Sequence, residues 1–242
     1  MKVSLFITCL VDQFFPDVGM SVVSVLRRLG VDVDFPAAQT CCGQPAFNSG
    51  FKSEARELAK RFIVIFENSE YVVAPSGSCT SMVRVFYPEL FSDDPEWHER
   101  AVSLASRTYE FTEFLVNILK LEDVGATSRG KIALHQSCHL LRELNVKTEP
   151  KSLLRSVHGV ELVELERAES CCGFGGLFSI KYPHISSGIL QDKIDCVEKS
   201  GADVVVACDV GCLMHIAGGL SRQSASVKTM HIAELLAKRS EA

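Results

Sequence analysis

The stretch GVDVDFPAAQTCCGQP, residues 30–45, returns later in the chain as GVELVELERAESCCGFGG, residues 159–176. In each copy an alternating β-rich run leads to two adjacent cysteines and a glycine. Neighbouring side chains on a strand point to opposite faces, so bringing both sulfurs to one place requires a bend that glycine permits. The likeness extends outward. Setting Cys9 over Cys138 brings the Gly-Val runs and the cysteine pairs into register with a slip of one residue. VVAPSGSC, ending at Cys79, matches VVVACDVGC, ending at Cys212, and RTYEFTEFL (107–115) matches KTMHIAELL (228–236). Two tandem homologous modules explain this, a first over 1–128 and a second over 129–242, divided near DVGATSRGK.

Both modules alternate short β-rich runs with amphipathic stretches, which predicts an α/β fold of two Rossmann-like units with mostly parallel sheets. KVSLFITC, VDVDFP and YVVAP read as strands of the first, and KIALHQSC, VELVEL and ADVVVAC as strands of the second. GMSVVSVLRRLG, KSEARELAKRFIVIF, PKSLLRSVHG and ISSGILQDKIDCVEKSG carry helical periodicity. Residues 88–106 have no counterpart of similar length and read as an insertion.

The chain has 242 residues, 47% of them hydrophobic and 23% charged. This is globular composition. A net charge of -5 with no basic run argues against nucleic acid and against an anionic membrane surface. No apolar stretch reaches the length of a membrane span, and MKVSLFITCLVDQFF lacks the cleavage pattern of a secretory leader. The expected location is the cytoplasm, where ten cysteines point to metal or redox chemistry more than to disulfides.

Every repeated cysteine follows a predicted strand. In a doubly wound sheet the carboxyl ends of the strands border the ligand crevice. Cys9, Cys41, Cys42 and Cys79 are therefore expected to meet in the first module, and Cys138, Cys171, Cys172 and Cys212 in the second. Four thiolates suit zinc or an iron-sulfur cluster. Ligands gathered from three strands, with glycines that let amides approach sulfur, favour the cluster. Cys196 lies in an amphipathic stretch and reads as core packing, while Cys208 is a further candidate ligand. His135, His139, His215 and His231 flank the motifs and could ligate metal, relay a proton or cap a strand end. Lys181 could offset cluster charge or hold a carboxylate. His139, His135 and Lys181 are the candidates for a direct part in chemistry, His139 foremost because it adjoins Cys138. GFGG lacks the spacing of a nicotinamide fingerprint.

With SLFITCLVDQFFPDVG, CCGQPAFNSG, HQSCHLLRELN, CCGFGGLFSIKYPHIS and GCLMHIAGG in place, the chain resembles the CCG-domain, or cysteine-rich-domain, family over nearly its whole length. That family includes the cysteine-rich subunit of heterodisulfide reductase, the iron-sulfur subunit of glycolate oxidase and the lactate-utilisation proteins, to which the likeness is strongest. The resemblance implies an electron-transfer subunit of an L-lactate-oxidising complex, one or two clusters of the 4Fe-4S class, and partners comprising a ferredoxin-like iron-sulfur subunit and a third subunit. The substrate of the whole would be a 2-hydroxy acid. Heterodisulfide reductase-like proteins close each motif with CxxC and hold a noncubane cluster. Here Ser76 stands at that offset before Cys79, and Cys208 lies one residue outside it before Cys212. Cluster type is therefore open. The alternatives are disulfide chemistry at a cluster and a non-enzymatic zinc scaffold.

Overall fold

The computed structural model describes residues 1–239. Strands β1 (Lys2–Leu5), β2 (Asp32–Asp34), β3 (Tyr71–Ala74) and β4 (Thr108–Glu110) form one parallel sheet in the order β2-β1-β3-β4. Strands β5 (Thr127–Leu134), β6 (His158–Val163), β7 (Val204–Ala207) and β8 (Lys228–His231) repeat that order as β6-β5-β7-β8, again all parallel. The α/β fold with two tandem units is thus as expected. The fourth strand of each sheet, TYE and KTMH, adds an element beyond the three strands read in each module.

Strand alternation splits the apolar residues between two faces, as parallel sheets buried on both sides require. Val3, Leu5 and Val73 of the first sheet and Ile132, Leu134 and Val206 of the second point into one shared central core. Helices Pro16–Arg28 and Ile232–Ala237 pack against each other in this layer, and Phe111, Phe114, Leu153 and Leu154 complete it. The opposite faces carry separate outer cores, one built on Phe62, Phe66 and Tyr87 and the other on Ile194, Val197 and Ile216. At about 1.5–3 kcal/mol per fully buried Val, Leu, Ile or Phe, the shared layer binds the modules into one unit. The insertion at 88–106 contains helix Pro95–Ala105, which covers the first outer core through Ala101 and Leu104.

This strand order places the topological switch point between β1 and β3, and between β5 and β7. Chains leaving neighbouring strand ends there depart towards opposite faces and open a crevice. Cys9 and Cys79 follow these ends in the first sheet and Cys138 and Cys212 in the second, while the adjacent cysteine pairs come from the loops after β2 and β6.

Candidate metal centres

In the first module Cys9 begins helix Cys9–Phe14 just after β1, and Cys79 lies in helix Gly77–Ser81 just after β3. Cys41 and Cys42 end the loop after β2, where Gly43, at φ +84°, turns the chain into helix Gln44–Asn48. The second module repeats each placement: Cys138 begins Cys138–Arg142, Cys212 lies in Val210–Arg222, and Gly173, at φ +87°, follows Cys171 and Cys172. A Cβ on Gly173 would lie 2.6 Å from the Ser186 carbonyl oxygen, so glycine is required for fit as well as for backbone angle.

The sulfurs of each quartet meet. Cys9 Sγ lies 3.8 Å from Cys41 Sγ, and the Gly43 amide donates to Cys41 Sγ at 3.4 Å. Cys42 and Cys9 both donate to Cys41, which lowers its pKa to about 3, while the two donors are held above the usual thiol value. In the second quartet Cys171 accepts from Cys138 and Cys172 and from the Gly173 amide at 3.2 Å, and its pKa is lowered. Cys212 is also lowered, to about 6, first by the Cys172 thiol and also by the neighbouring His135. Thiolates flanked by thiols, with glycine amides aimed at sulfur, form a donor set suited to a soft metal or an iron-sulfur cluster. The residues present fit such a group.

The other expected site residues divide between the second centre, the cores and the surface. Cys208 is buried in the shared core, where the Thr112 hydroxyl lies beside it and burial raises its pKa. Cys196 packs in the second outer core, as read from the sequence. His139 is half-buried, with Nδ1 3.6 Å from Cys138 Sγ. Lys181 is exposed and forms no ion pair among the described residues. His215 lies 3.2 Å from Ser186 Oγ, which donates to the Gly173 carbonyl at 2.8 Å and so holds the second cysteine loop. His231 is the buried N-cap of helix Ile232–Ala237, its pKa lowered by burial to about 4. His135 is buried beside Cys172 and Cys212.

Three residues outside the sequence-based set shape these centres. Asp209 caps its own helix by accepting from the Gly211 amide at 3.1 Å, and across the module boundary it accepts from the Ser78 amide at 2.9 Å. One carboxylate thus tethers the amino termini of both helices that carry Cys79 and Cys212, where helix dipoles favour a negative charge. Tyr87 donates to the Cys42 carbonyl at 2.8 Å, bracing the first cysteine loop. Lys193 is fully buried and donates to the Arg167 carbonyl at 2.7 Å, with Cys196, Cys172 and Cys212 near enough to act on its charge.

The sequence profile of the cysteine-rich CCG domain matches residues 3–84 and 132–217, the two halves that hold these quartets. The chain belongs to the cysteine-rich CCG domain family. Relatives of this CCG chain include lactate utilization protein A of Bacillus subtilis, 54% identical over 99% of this chain and all of that one. Lactate utilization protein A of Bacillus licheniformis is 52% identical over the same shares, and lactate utilization protein A 2 of Bacillus cereus is 51% identical over 98% of both chains. Among solved structures, an aspartate racemase homologue from Pyrococcus horikoshii aligns with 98% of this CCG chain and 95% of its own at 13% identity. Its TM-score of 0.35 is too low to bear on function.

Proposed function

We propose that the protein is the iron-sulfur electron-transfer subunit of a system that oxidises L-lactate to pyruvate. Cys9, Cys41, Cys42 and Cys79 hold one centre, and Cys138, Cys171, Cys172 and Cys212 hold the other. The observation that carries this reading is the meeting of two sulfur quartets at equivalent crevices of two parallel sheets. The name shared by the full-length relatives supports the lactate role. When bound, a cluster supplies one-electron redox chemistry. The chain's own part is to gather the sulfurs, to direct the Gly43 and Gly173 amides at them, and to exclude water from Cys42 and Cys172, which are 1% and 3% exposed. The modules, expected to divide at 128 and 129 with the second sheet beginning two residues earlier at Thr127, act as a two-site relay within the cytoplasm. Among the described residues no helix is long and apolar enough to cross a membrane.

A ferredoxin-like subunit and a third subunit complete the system. Phe14, Ile180 and Tyr182 are exposed and stand on segments that directly follow the cysteines. They offer apolar contact for a protein partner. A second reading, with zinc in the second module, is favoured by the imidazole of His135 beside two sulfurs, since zinc accepts both donor types. Protein purified without oxygen decides between them. The expected result is a brown protein with iron and sulfide in comparable amounts, bleached by L-lactate only when the other subunits are present. A colourless protein rich in zinc, or brown protein that stays oxidised in the complete system, would contradict the proposal.

A further inference from the structure

The two quartets do not have the same surroundings. Setting Cys9 over Cys138 places Phe6 on His135. The contacts of Gly43 with Ala55 and Leu58, and of Gly173 with Ser186 and Ile189, align the following helices and place Phe62 on Lys193. In the first module Phe6 and Phe62 meet edge to face with ring centres 4.6 Å apart, a purely apolar wall. In the second, His135 is 1% exposed, and its ring nitrogens meet no oxygen or nitrogen partner, the Cys212 thiol being the group near enough to bond to one of them. A ring nitrogen of His135 and the sulfurs of Cys172 and Cys212 all lie within 4.8 Å of one another. The ring is held there by its own backbone, whose amide donates to the Val206 carbonyl at 2.8 Å and so continues the β5–β7 ladder.

A buried imidazole whose nitrogens have only sulfur beside them lowers stability unless something meets it. No side-chain oxygen or carbonyl does so among the described residues, whereas two candidate sulfur ligands adjoin it. Imidazole nitrogen is itself a good ligand for iron and zinc. We propose that His135 is a nitrogen ligand of the second centre, which makes that centre a mixed sulfur and nitrogen site while the first is ligated by sulfur alone. The inference rests on the metal-binding reading above but not on which metal is bound. A neutral imidazole beside four sulfurs adds no negative charge, so the second centre differs from the first in donor type at equal ligand charge. The two centres are then chemically distinct, as a relay with a direction requires.

The test uses the full chain with Cys41→Ser, to silence the first centre, labelled with nitrogen-15 in histidine. The metal-free protein is loaded with cadmium-113 alone. The expected result is a single cadmium resonance split by one nitrogen-15, with the splitting lost and the resonance moved towards the all-sulfur range in His135→Phe. Phenylalanine is already accepted at the equivalent Phe6, and circular dichroism verifies the fold. An unsplit cadmium resonance in the parent, or no cadmium in the second module, would overturn the proposal without need of the variant. In protein purified without oxygen, pulsed electron paramagnetic resonance of the reduced second centre should show a directly coupled histidine nitrogen-15. Its absence from an iron-loaded second centre would refute His135 and leave the electron-transfer reading standing. Protein without iron that still shows the cadmium splitting would refute the electron-transfer reading and leave His135 standing.

Discussion

Phe6 and Phe62 flank the first sulfur quartet, whereas His135 and Lys193 occupy the equivalent places beside the second. The cysteine loops differ in the same sense: Tyr87 braces the first through the Cys42 carbonyl, and a Ser186–His215 pair braces the second through the Gly173 carbonyl. The helices that carry the last cysteines differ too. After Cys79 the helix widens into a π-turn over Met82–Phe86, while after Cys212 it runs unbroken to Arg222. Duplication therefore preserved the sulfur positions, which the strand ends dictate, and left the walls free to diverge. A relay needs such divergence, because two identical sites at equal potential give electrons no preferred direction.

The largest effect is expected where the two modules cap their last helices. Glu110 and His231 are equivalent, both buried, and each pushed by burial towards its neutral form, Glu110 up to about 8 and His231 down to about 4. Glu110 has a folded pKa above its ordinary value of 4.5, so its contribution is intact at low pH and is lost as pH rises from there through about 8. Its Oε2 accepts from the Thr112 and Glu113 amides, and Oε1 has no partner; Cys208 and Glu113 are the titratable groups nearby. Glu110→Gln mimics the protonated acid. Thermal unfolding should show the parent losing stability between pH 5 and 9, and the variant recovering up to about 4 kcal/mol of that loss at pH 9. Parallel pH profiles for the two proteins would remove Glu110 from the account.

Asp209→Ala tests a residue that serves both centres. Its carboxylate meets the amino termini of helices Gly77–Ser81 and Val210–Arg222. Losing both caps together should cost about 2 kcal/mol in denaturant unfolding. Metal retention should fall in both modules, unlike any change confined to one wall. Loss from the second module alone would show that the bond to Ser78 contributes nothing to the first. Lys193→Met should have the smallest effect and the sharpest selectivity. The change removes a buried ammonium near Cys172 and Cys212. That disfavours the reduced centre by roughly 1 kcal/mol, so a redox titration should find the second potential lower and the first unchanged. Equal shifts in both would contradict the assignment of Lys193 to the second wall.

The sulfur positions were legible because core packing gives no reason to repeat one cysteine spacing twice, and because strand ends are where an α/β sheet gathers ligands. Other features left weaker marks. The fourth strands span Thr108–Glu110 and Lys228–His231, too short to show alternation, and they exist because parallel pairing with β3 and β7 holds them. Lys193, within QDKID, reads as one of a run of charges on a solvated face. Its spacing of three from Leu190 and four from Val197 puts it on the buried stripe, and that conflict is the signal. Asp209 stands where Ser76 stands in the first module and is readable as an N-cap, but its reach to Ser78 depends on how the modules pack. That packing was invisible locally, since the amphipathic helix Pro16–Arg28 suits its own sheet as well as the shared core. His135 is legible as a flanking histidine, but adjacency in sequence favours His139, and only the fold shows His135 buried between Cys172 and Cys212.

The central claim is that each quartet is one ligand set, and metal counting after Cys41→Ser and, separately, Cys171→Ser tests it most directly. Protein prepared without oxygen should lose the metal of the altered module and keep that of the other, leaving a different spectrum in each variant. Parent-level metal in both variants, or loss of all metal in both, would contradict it.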